Sequence, residues 1–232
     1  MTESTTLVLV CKRPALGMGK QRLAAHLGTE ITLRVAEALL ACALEDACNW
    51  PGQVVIAPAS QHDHDWAVNL SLSVQSPVIV LSQITGNLGQ RLNRLDHELR
   101  QRRMEQLVYI GSDAPGLKVS DYMAVNAALS HHDTVLMPST DGGVVLMASH
   151  CPWPELSGLP WSTDQLGTAL ADSCCIAGHS VATLREGCDI DELGDLVKLT
   201  TQLEKDRRPA RRALYQLTRH VVTTMSTANA KF

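Results

Sequence analysis

The sequence predicts an α/β protein with a mostly parallel sheet. Short apolar runs of strand length alternate with longer segments of helical period over most of the chain. Late in the order two β-rich runs, Thr134–Met137 and Val144–Ala148, flank Pro138-Ser139-Thr140-Asp141-Gly142-Gly143, a glycine-bearing turn that predicts antiparallel neighbours within an otherwise parallel sheet. A third observation sets the scale. At 232 residues and 45% hydrophobic the chain can bury a full core without a disulfide or metal staple.

The elements follow in order. Thr6–Cys11 is a continuous apolar run and reads as a buried strand, followed by the loop Lys12–Lys20 with Pro14, Gly17 and Gly19. Ile31–Cys48 carries Leu33, Ala36, Leu40, Leu44 and Ala47 at helical spacing, with Gly28-Thr29-Glu30 as its start signal. Gln53–Ala57 and Pro77–Leu81 are strands, with a short helix over His62–Asn69 between them, and Gly86–Arg102 is a polar, arginine-rich helix. Leu107–Ser112 is a fourth strand, ending in Asp113-Ala114-Pro115. Val119–Leu129, Thr163–Asp172, Asp191–Leu203 and Ala210–Val222 read as helices, and Ser180–Leu184 as a last strand. The tail after Thr223 is expected to fray. The expected organisation is one nucleotide-binding transferase domain over 1–203, then a basic C-terminal helix and tail over 204–232.

Composition excludes several classes. The formal charge is −4, which argues against a nucleic-acid binder. Glu204–His220 holds six basic residues against two acidic, but almost no aromatics, and reads as a solvated helix face. The seven cysteines have no regular spacing and are expected as free thiols. The N-terminus has an acidic residue, no basic n-region and too short an apolar run for a signal core or a membrane span, so a cytoplasmic location is expected. The histidines show no zinc spacing, and no Cys-His dyad stands out.

Five stretches can carry chemistry. Lys12–Arg22 places four cations and two glycines directly after a buried strand. Glycine lets backbone N–H groups approach a phosphate and the cations neutralise it; a solvated basic loop is the equal alternative. Asp113 sits where a strand ends, a position suited to holding a divalent cation against a diphosphate, or simply to capping a turn. Asp141-Gly142-Gly143 is either hairpin chemistry or the rim of a pocket. Asp189 and Asp191 share one face of an extended segment, which suits a metal, while Asp191 as a helix cap is at least as good a reading. Trp161-Ser162-Thr163 offers a ring for stacking and two helix-capping hydroxyls.

The order of these stretches resembles a bacterial family of glycosyltransferase-A-type, nucleotide-diphospho-sugar transferase-like proteins, of the radical-SAM/selenodomain-associated transferase type. The matching segments are Lys12–Leu23, Gly86–Leu92, Ile110–Leu117, Asp141–Val145, Trp161–Thr163 and Asp189–Leu196, spanning roughly residues 6–197. The chain is more distantly similar to 2-phospholactate and molybdopterin guanylyltransferases. The resemblance implies a Rossmann-like glycosyltransferase-A fold with helices on both faces of the sheet. It implies a nucleotide or nucleotide-sugar donor, an unidentified small-molecule acceptor, and Mg²⁺ or Mn²⁺.

It assigns Lys12, Arg13, Gly17, Lys20, Arg22, Gly86 and Arg91 to the nucleotide, Asp113 and Asp189 to the metal, and Asp113, Asp141 and Asp189 to catalysis. Gly142, Gly143, Trp161, Ser162 and Thr163 fall to the acceptor or sugar. Departures are Leu16, Gly19 and Gln21 in the first loop, Asn87 for an aspartate, and Val144 and Val145 for paired tyrosines. The expected activity is metal-dependent glycosyl transfer from a nucleotide-diphosphate sugar. The alternatives are nucleotidyl transfer to a phosphorylated small molecule and a catalytically degenerate nucleotide-binding or scaffold protein.

Overall fold

A computed structural model describes residues 5–74 and 77–229. The acidic start of the N-terminus and residues 230–232 of the tail lie outside them. The expected α/β architecture is present. Seven strands form one sheet in the order β3-β2-β1-β4-β6-β5-β7: β1 (Thr6–Cys11), β2 (Val54–Pro58), β3 (Val78–Val80), β4 (Leu107–Ile110), β5 (Thr134–Pro138), β6 (Val144–Ser149) and β7 (Val181–Thr183). Only β6 runs against its neighbours, pairing antiparallel with both β4 and β5. The other pairs are parallel. The turn at 139–143 reverses the chain once, and the sheet is mixed for that reason.

Among the described residues eight α-helices and a short 3₁₀ turn at Gln61–Asp63 complete the fold: α1 (Gln21–Leu27), α2 (Thr29–Cys48), α3 (His64–Ser71), α4 (Leu88–Gln101), α5 (Val119–Leu129), α6 (Leu166–Ile176), α7 (Leu193–Leu203) and α8 (Pro209–Asn229). The two-residue period of the strands sorts the core. Leu7, Leu9, Val54, Ile56, Val108 and Ile110 face α2, α3 and α5, packing with Leu40, Ala43, Ala67 and Val125. Val8, Val55, Leu107, Tyr109 and Met147 face the other side, where α4 and α6 supply Leu92, Leu95, Leu99 and Leu170. A third cluster lies on the outer side of α2, where Val35 and Leu39 meet Leu23 of α1, Leu196 and Leu199 of α7, and Leu214 and Val221 of α8.

Two expectations change. Helix α1 was not foreseen, because its seven residues carry only Leu23 and Leu27 as an apolar signal. The C-terminal helix is not a solvated face. It runs to Asn229 with no break at Thr223, and its Arg211 is fully buried. The Arg211 guanidinium donates to Asp46 Oδ2 at 2.6 Å, Glu45 Oε2 at 2.9 Å, the Cys42 carbonyl at 2.5 Å and the Pro115 carbonyl at 3.2 Å. Arg208 adds an ion pair to Asp46 at 3.3 Å. These long-range pairs fasten α8 to α2. All seven cysteines are free thiols. Among the described residues no helix is long and apolar enough to cross a membrane.

Candidate functional site

The carboxyl ends of β1, β4 and β5 open onto one cleft, where open α/β sheets collect ligands. After β1 the chain makes a tight turn, with Met18 N–H donating to the Ala15 carbonyl at 3.0 Å and Gln21 Nε2 to the Gly17 carbonyl at 2.8 Å. Gly17 and Gly19 sit at φ +73° and +71°, and Lys20 follows at φ 49°. A left-handed lysine costs about 1–2 kcal/mol. That strain aims its ammonium at two carboxylates, Asp191 Oδ1 at 2.7 Å and Asp113 Oδ2 at 3.1 Å. Burial opposes the charge on Lys20, but the two aspartates outweigh it and hold its pKa above the usual lysine range.

Asp113 follows β4, and the segment carrying Asp189 and Asp191 is stitched to it. Ile190 N–H donates to the Asp113 carbonyl at 3.1 Å, and Gly187 N–H to the Pro138 carbonyl at 2.8 Å. Ser139, at the end of β5, donates its hydroxyl to Asp189 Oδ1 at 2.5 Å. Burial pushes the Asp189 carboxyl up, helped by the negative charges of Asp141 and Asp113 and opposed by the Ser139 hydrogen bond. Lys20 thus joins Asp113 and Asp191, while Asp189 is held by Ser139 and feels the charges of Asp141 and Asp113. Oxygen donors of this kind suit a hard divalent cation, which is commonly held by one or two carboxylates together with substrate oxygens. Among the described residues these aspartates do not bring three donor atoms within 4.8 Å of one another.

The other residues singled out in the sequence fall in several places. Lys12, Arg13 and Gly17 are exposed on the loop above the cleft. Arg22 is exposed and pairs with Glu192 Oε1 at 3.2 Å. Asp141 Oδ1 accepts Gly143 N–H at 2.9 Å, so the hairpin reading of that aspartate holds alongside its place in the cluster. Gly142, at φ +87°, lies against the Asp164 backbone so closely that a Cβ would meet the Asp164 carbonyl oxygen at 2.0 Å, which brings the 161–164 loop beside the turn. Within that loop the Trp161 indole donates to the Leu156 carbonyl at 2.8 Å and packs into the α4–α6 core. Ser162 sits at φ 65°, and Thr163 Oγ1 accepts from Gln165 N–H at 3.3 Å just before α6.

Gly86 and Arg91 flank the N-terminus of α4. Asn87 caps that helix by accepting Gln90 N–H at 3.0 Å, while its Nδ2 donates to the Ser157 carbonyl at 2.9 Å, a bond that an aspartate cannot make. Arg91 Nε is buried without a hydrogen-bond partner, and burial lowers its pKa.

Three features go beyond the sequence reading, which offers Asp191 only as a metal ligand or a helix cap. Asp191 binds Lys20, and Glu192 takes the capping position at the start of α7, where its own N–H donates to Asp195 Oδ2 at 3.0 Å. Ser139 positions Asp189. The i, i+2 spacing of Asp189 and Asp191 was the available signal for the first; nothing local marks the second. The third is Asp133-His150-Cys151. Sequence reading finds no Cys-His dyad, yet these side chains meet on the opposite rim of the sheet.

The fold is a mixed α/β sheet with its charged residues gathered at the carboxyl ends of the parallel strands. Residues 39–163 match the model of a family described as "uncharacterized protein conserved in bacteria (DUF2064)", and the chain belongs to that family. Among solved structures it is similar to a candidate nucleotide-diphospho-sugar transferase from Desulfovibrio desulfuricans G20, at TM-score 0.82 and 19% identity, covering 96% of this chain and 98% of that one. It is also similar to a 4-diphosphocytidyl-2C-methyl-D-erythritol synthase from Anaerococcus prevotii DSM 20548, at TM-score 0.53 and 11% identity over 87% and 100% of the two chains. A cytidylyltransferase from Leptospira borgpetersenii serovar Hardjo-bovis gives TM-score 0.52 and 9% identity over 95% of each chain. These likenesses bear out the fold. No curated protein matches the sequence.

Proposed function

We propose that the chain is a nucleotide-utilising transferase that takes a sugar from a nucleotide-diphosphate donor, with Mg²⁺ or Mn²⁺ held by Asp113 and Asp189. The observation that carries this reading is the pairing of Lys20 with Asp113 and Asp191 at the strand ends, with Asp189 close enough to Asp113 to feel its charge. When bound, the metal supplies positive charge to the diphosphate oxygens. An ammonium has three donors. Asp113 and Asp191 take two from Lys20, and the third is the one to meet a phosphate oxygen. The cations at Lys12, Arg13 and Arg22 and the backbone around Gly17 line the way in, and Gly86 and Arg91 add a second approach from α4.

As the bond between the sugar's anomeric carbon and the diphosphate breaks, the leaving group's charge grows, and a preplaced ammonium stabilises it without reorganisation. The acceptor oxygen bonds to that carbon as its proton passes to a base, a role Asp189 fills where the metal rests on Asp113 alone. A cavity of about 310 Å³ adjoins the cluster, lined in part by Ala114, Thr140, Arg185 and Cys188. We assign it to the acceptor; Gly142, Gly143 and the 161–163 loop, which the resemblance offers for that role, are not among its lining residues.

Val145 packs where a Cβ on Gly187 would stand, so the residue that replaces a family tyrosine helps to seat the segment leading to Asp189. Incubation with a panel of nucleotide sugars and nucleoside triphosphates tests the proposal. Release of nucleoside diphosphate from a nucleotide sugar is expected. Release of pyrophosphate from a triphosphate instead would make it a nucleotidyltransferase, and no binding of either class with Mg²⁺ present would make it a scaffold.

A further inference from the structure

Asp133 precedes β5, and His150 and Cys151 follow β6. The register Thr134↔Ser149, Leu107↔Ser149 and Thr6↔Leu107 puts all three residues level with the first residues of β1 and β4. They therefore lie at the end of the sheet away from Asp113. Asp133 Oδ1 is 3.3 Å from His150 Nε2 and 3.6 Å from Cys151 Sγ, and Cys151 Sγ is 3.5 Å from His150 Nδ1. With one atom from each residue, the three donors fall within 4.8 Å of one another.

We propose that these three side chains form a Zn²⁺ site with one position open to water. Zn–N, Zn–O and Zn–S bonds of about 2.0–2.3 Å give tetrahedral edges of about 3.3 Å between nitrogen and oxygen and about 3.6 Å to sulfur; the Asp133–Cys151 separation meets this, and the two His150 separations, each to a different ring nitrogen, fall in the same range. A metal takes one imidazole nitrogen, and a small turn of the ring presents it. Thiolate and imidazole favour Zn²⁺ over Mg²⁺ or Ca²⁺, which prefer oxygen alone.

The surroundings hold the donors in place. Ser180 donates its N–H at 2.8 Å and its hydroxyl at 2.7 Å to Asp133 Oδ2, which leaves Oδ1 turned to the site. Ser149 Oγ donates to the Asp133 carbonyl at 3.0 Å and accepts Cys151 N–H at 2.9 Å, tying the two segments together. Arg100 holds the carbonyls of His150 and Cys151 at 3.1 and 2.5 Å. Asp133 and His150 keep about a third of their side chains in solvent, which leaves an entry path and room for the water ligand. A bound ion would clamp the starts of β5 and β7 to the end of β6.

The probe is Co²⁺, then Zn²⁺, added to the reduced full-length protein with Mg²⁺ in excess so that the charged cleft is occupied. One equivalent of Co²⁺ is expected to give tetrahedral d–d bands with a thiolate-to-metal charge-transfer band, both lost on adding one equivalent of Zn²⁺. Cys151→Ser should remove the charge-transfer band. His150→Gln should weaken Zn²⁺ binding at least tenfold while melting like the wild type without metal. No charge-transfer band in the wild type overturns the proposal on its own, whether or not the variants fold. A band that survives Cys151→Ser, or Zn²⁺ affinity unchanged in His150→Gln, also overturns it.

Discussion

Two cations in this molecule each sit between two carboxylates, and they do different things. Arg211 is wholly buried, with Glu45 and Asp46 at 12% and 7% exposure. Lys20 is 13% exposed, but its partners Asp113 and Asp191 are 42% and 47% exposed. The guanidinium donates to two carboxylates and two backbone carbonyls, and these bonds join α8, α2 and the segment after β4. The ammonium donates to two half-exposed carboxylates, from a backbone conformation that lysine rarely adopts. One arrangement is closed and serves the fold. The other is open, strained and able to exchange partners, as a site that must accept and release a charged ligand requires.

The comparison predicts its largest effect at Arg211. Arg211→Ala takes the buried guanidinium from Glu45 and Asp46, leaving Asp46 with Arg208 and the Tyr122 hydroxyl and Glu45 with the Ala210 N–H, and breaking such a buried pair costs about 3–5 kcal/mol. Urea unfolding followed by circular dichroism should show a loss of that size. A loss below about 1 kcal/mol would mean that α8 is held by its apolar face alone.

At Lys20 the balance reverses. Lys20→Ala removes ion pairs with half-exposed partners, so stability should change by about 1 kcal/mol or less. Nucleotide affinity should fall by about 1.5–3 kcal/mol, the worth of a charged hydrogen bond to phosphate. Arg22 sharpens the contrast. Its pair with Glu192 is exposed on both sides, at 72% and 60%, and Arg22→Ala should move stability by only a few tenths of a kcal/mol, with a smaller loss of nucleotide affinity than Lys20→Ala. Calorimetry with UDP, GDP and CDP, alongside melting curves, measures both variants. Equal losses of affinity in the two would remove the special place given to Lys20.

What the sequence reveals follows from how local each signal is. Val119–Leu129 and Thr6–Cys11 keep their predicted bounds because apolar period and flanking breakers are written within the segment itself. Helix α1 has too few turns to show a period. The partners of Arg211 lie about 165 positions away, so an arginine-rich stretch read by composition alone looks solvated. The same distance hides the Lys20–Asp191 pair, 171 positions apart, although both residues stand in stretches the sequence singles out. His150 and Cys151 are adjacent, but their third partner comes from the preceding strand's start, and only the antiparallel return of β6 brings it near. Trp161 reads as a free ring because its neighbours are polar, and the structure fastens its indole N–H to Leu156.

The central claim is that the open cluster is a metal-dependent nucleotide site. Titrating Mg²⁺ against nucleotide binding by wild type and Asp113→Asn tests it most directly, since asparagine keeps the shape and removes the charge that a hard cation needs. The account predicts wild-type binding that strengthens with Mg²⁺, an Asp113→Asn protein that folds normally, and nucleotide binding by that variant that no longer responds to Mg²⁺. Identical Mg²⁺ curves for the two proteins would contradict it and leave Asp113 as a turn residue that anchors Lys20.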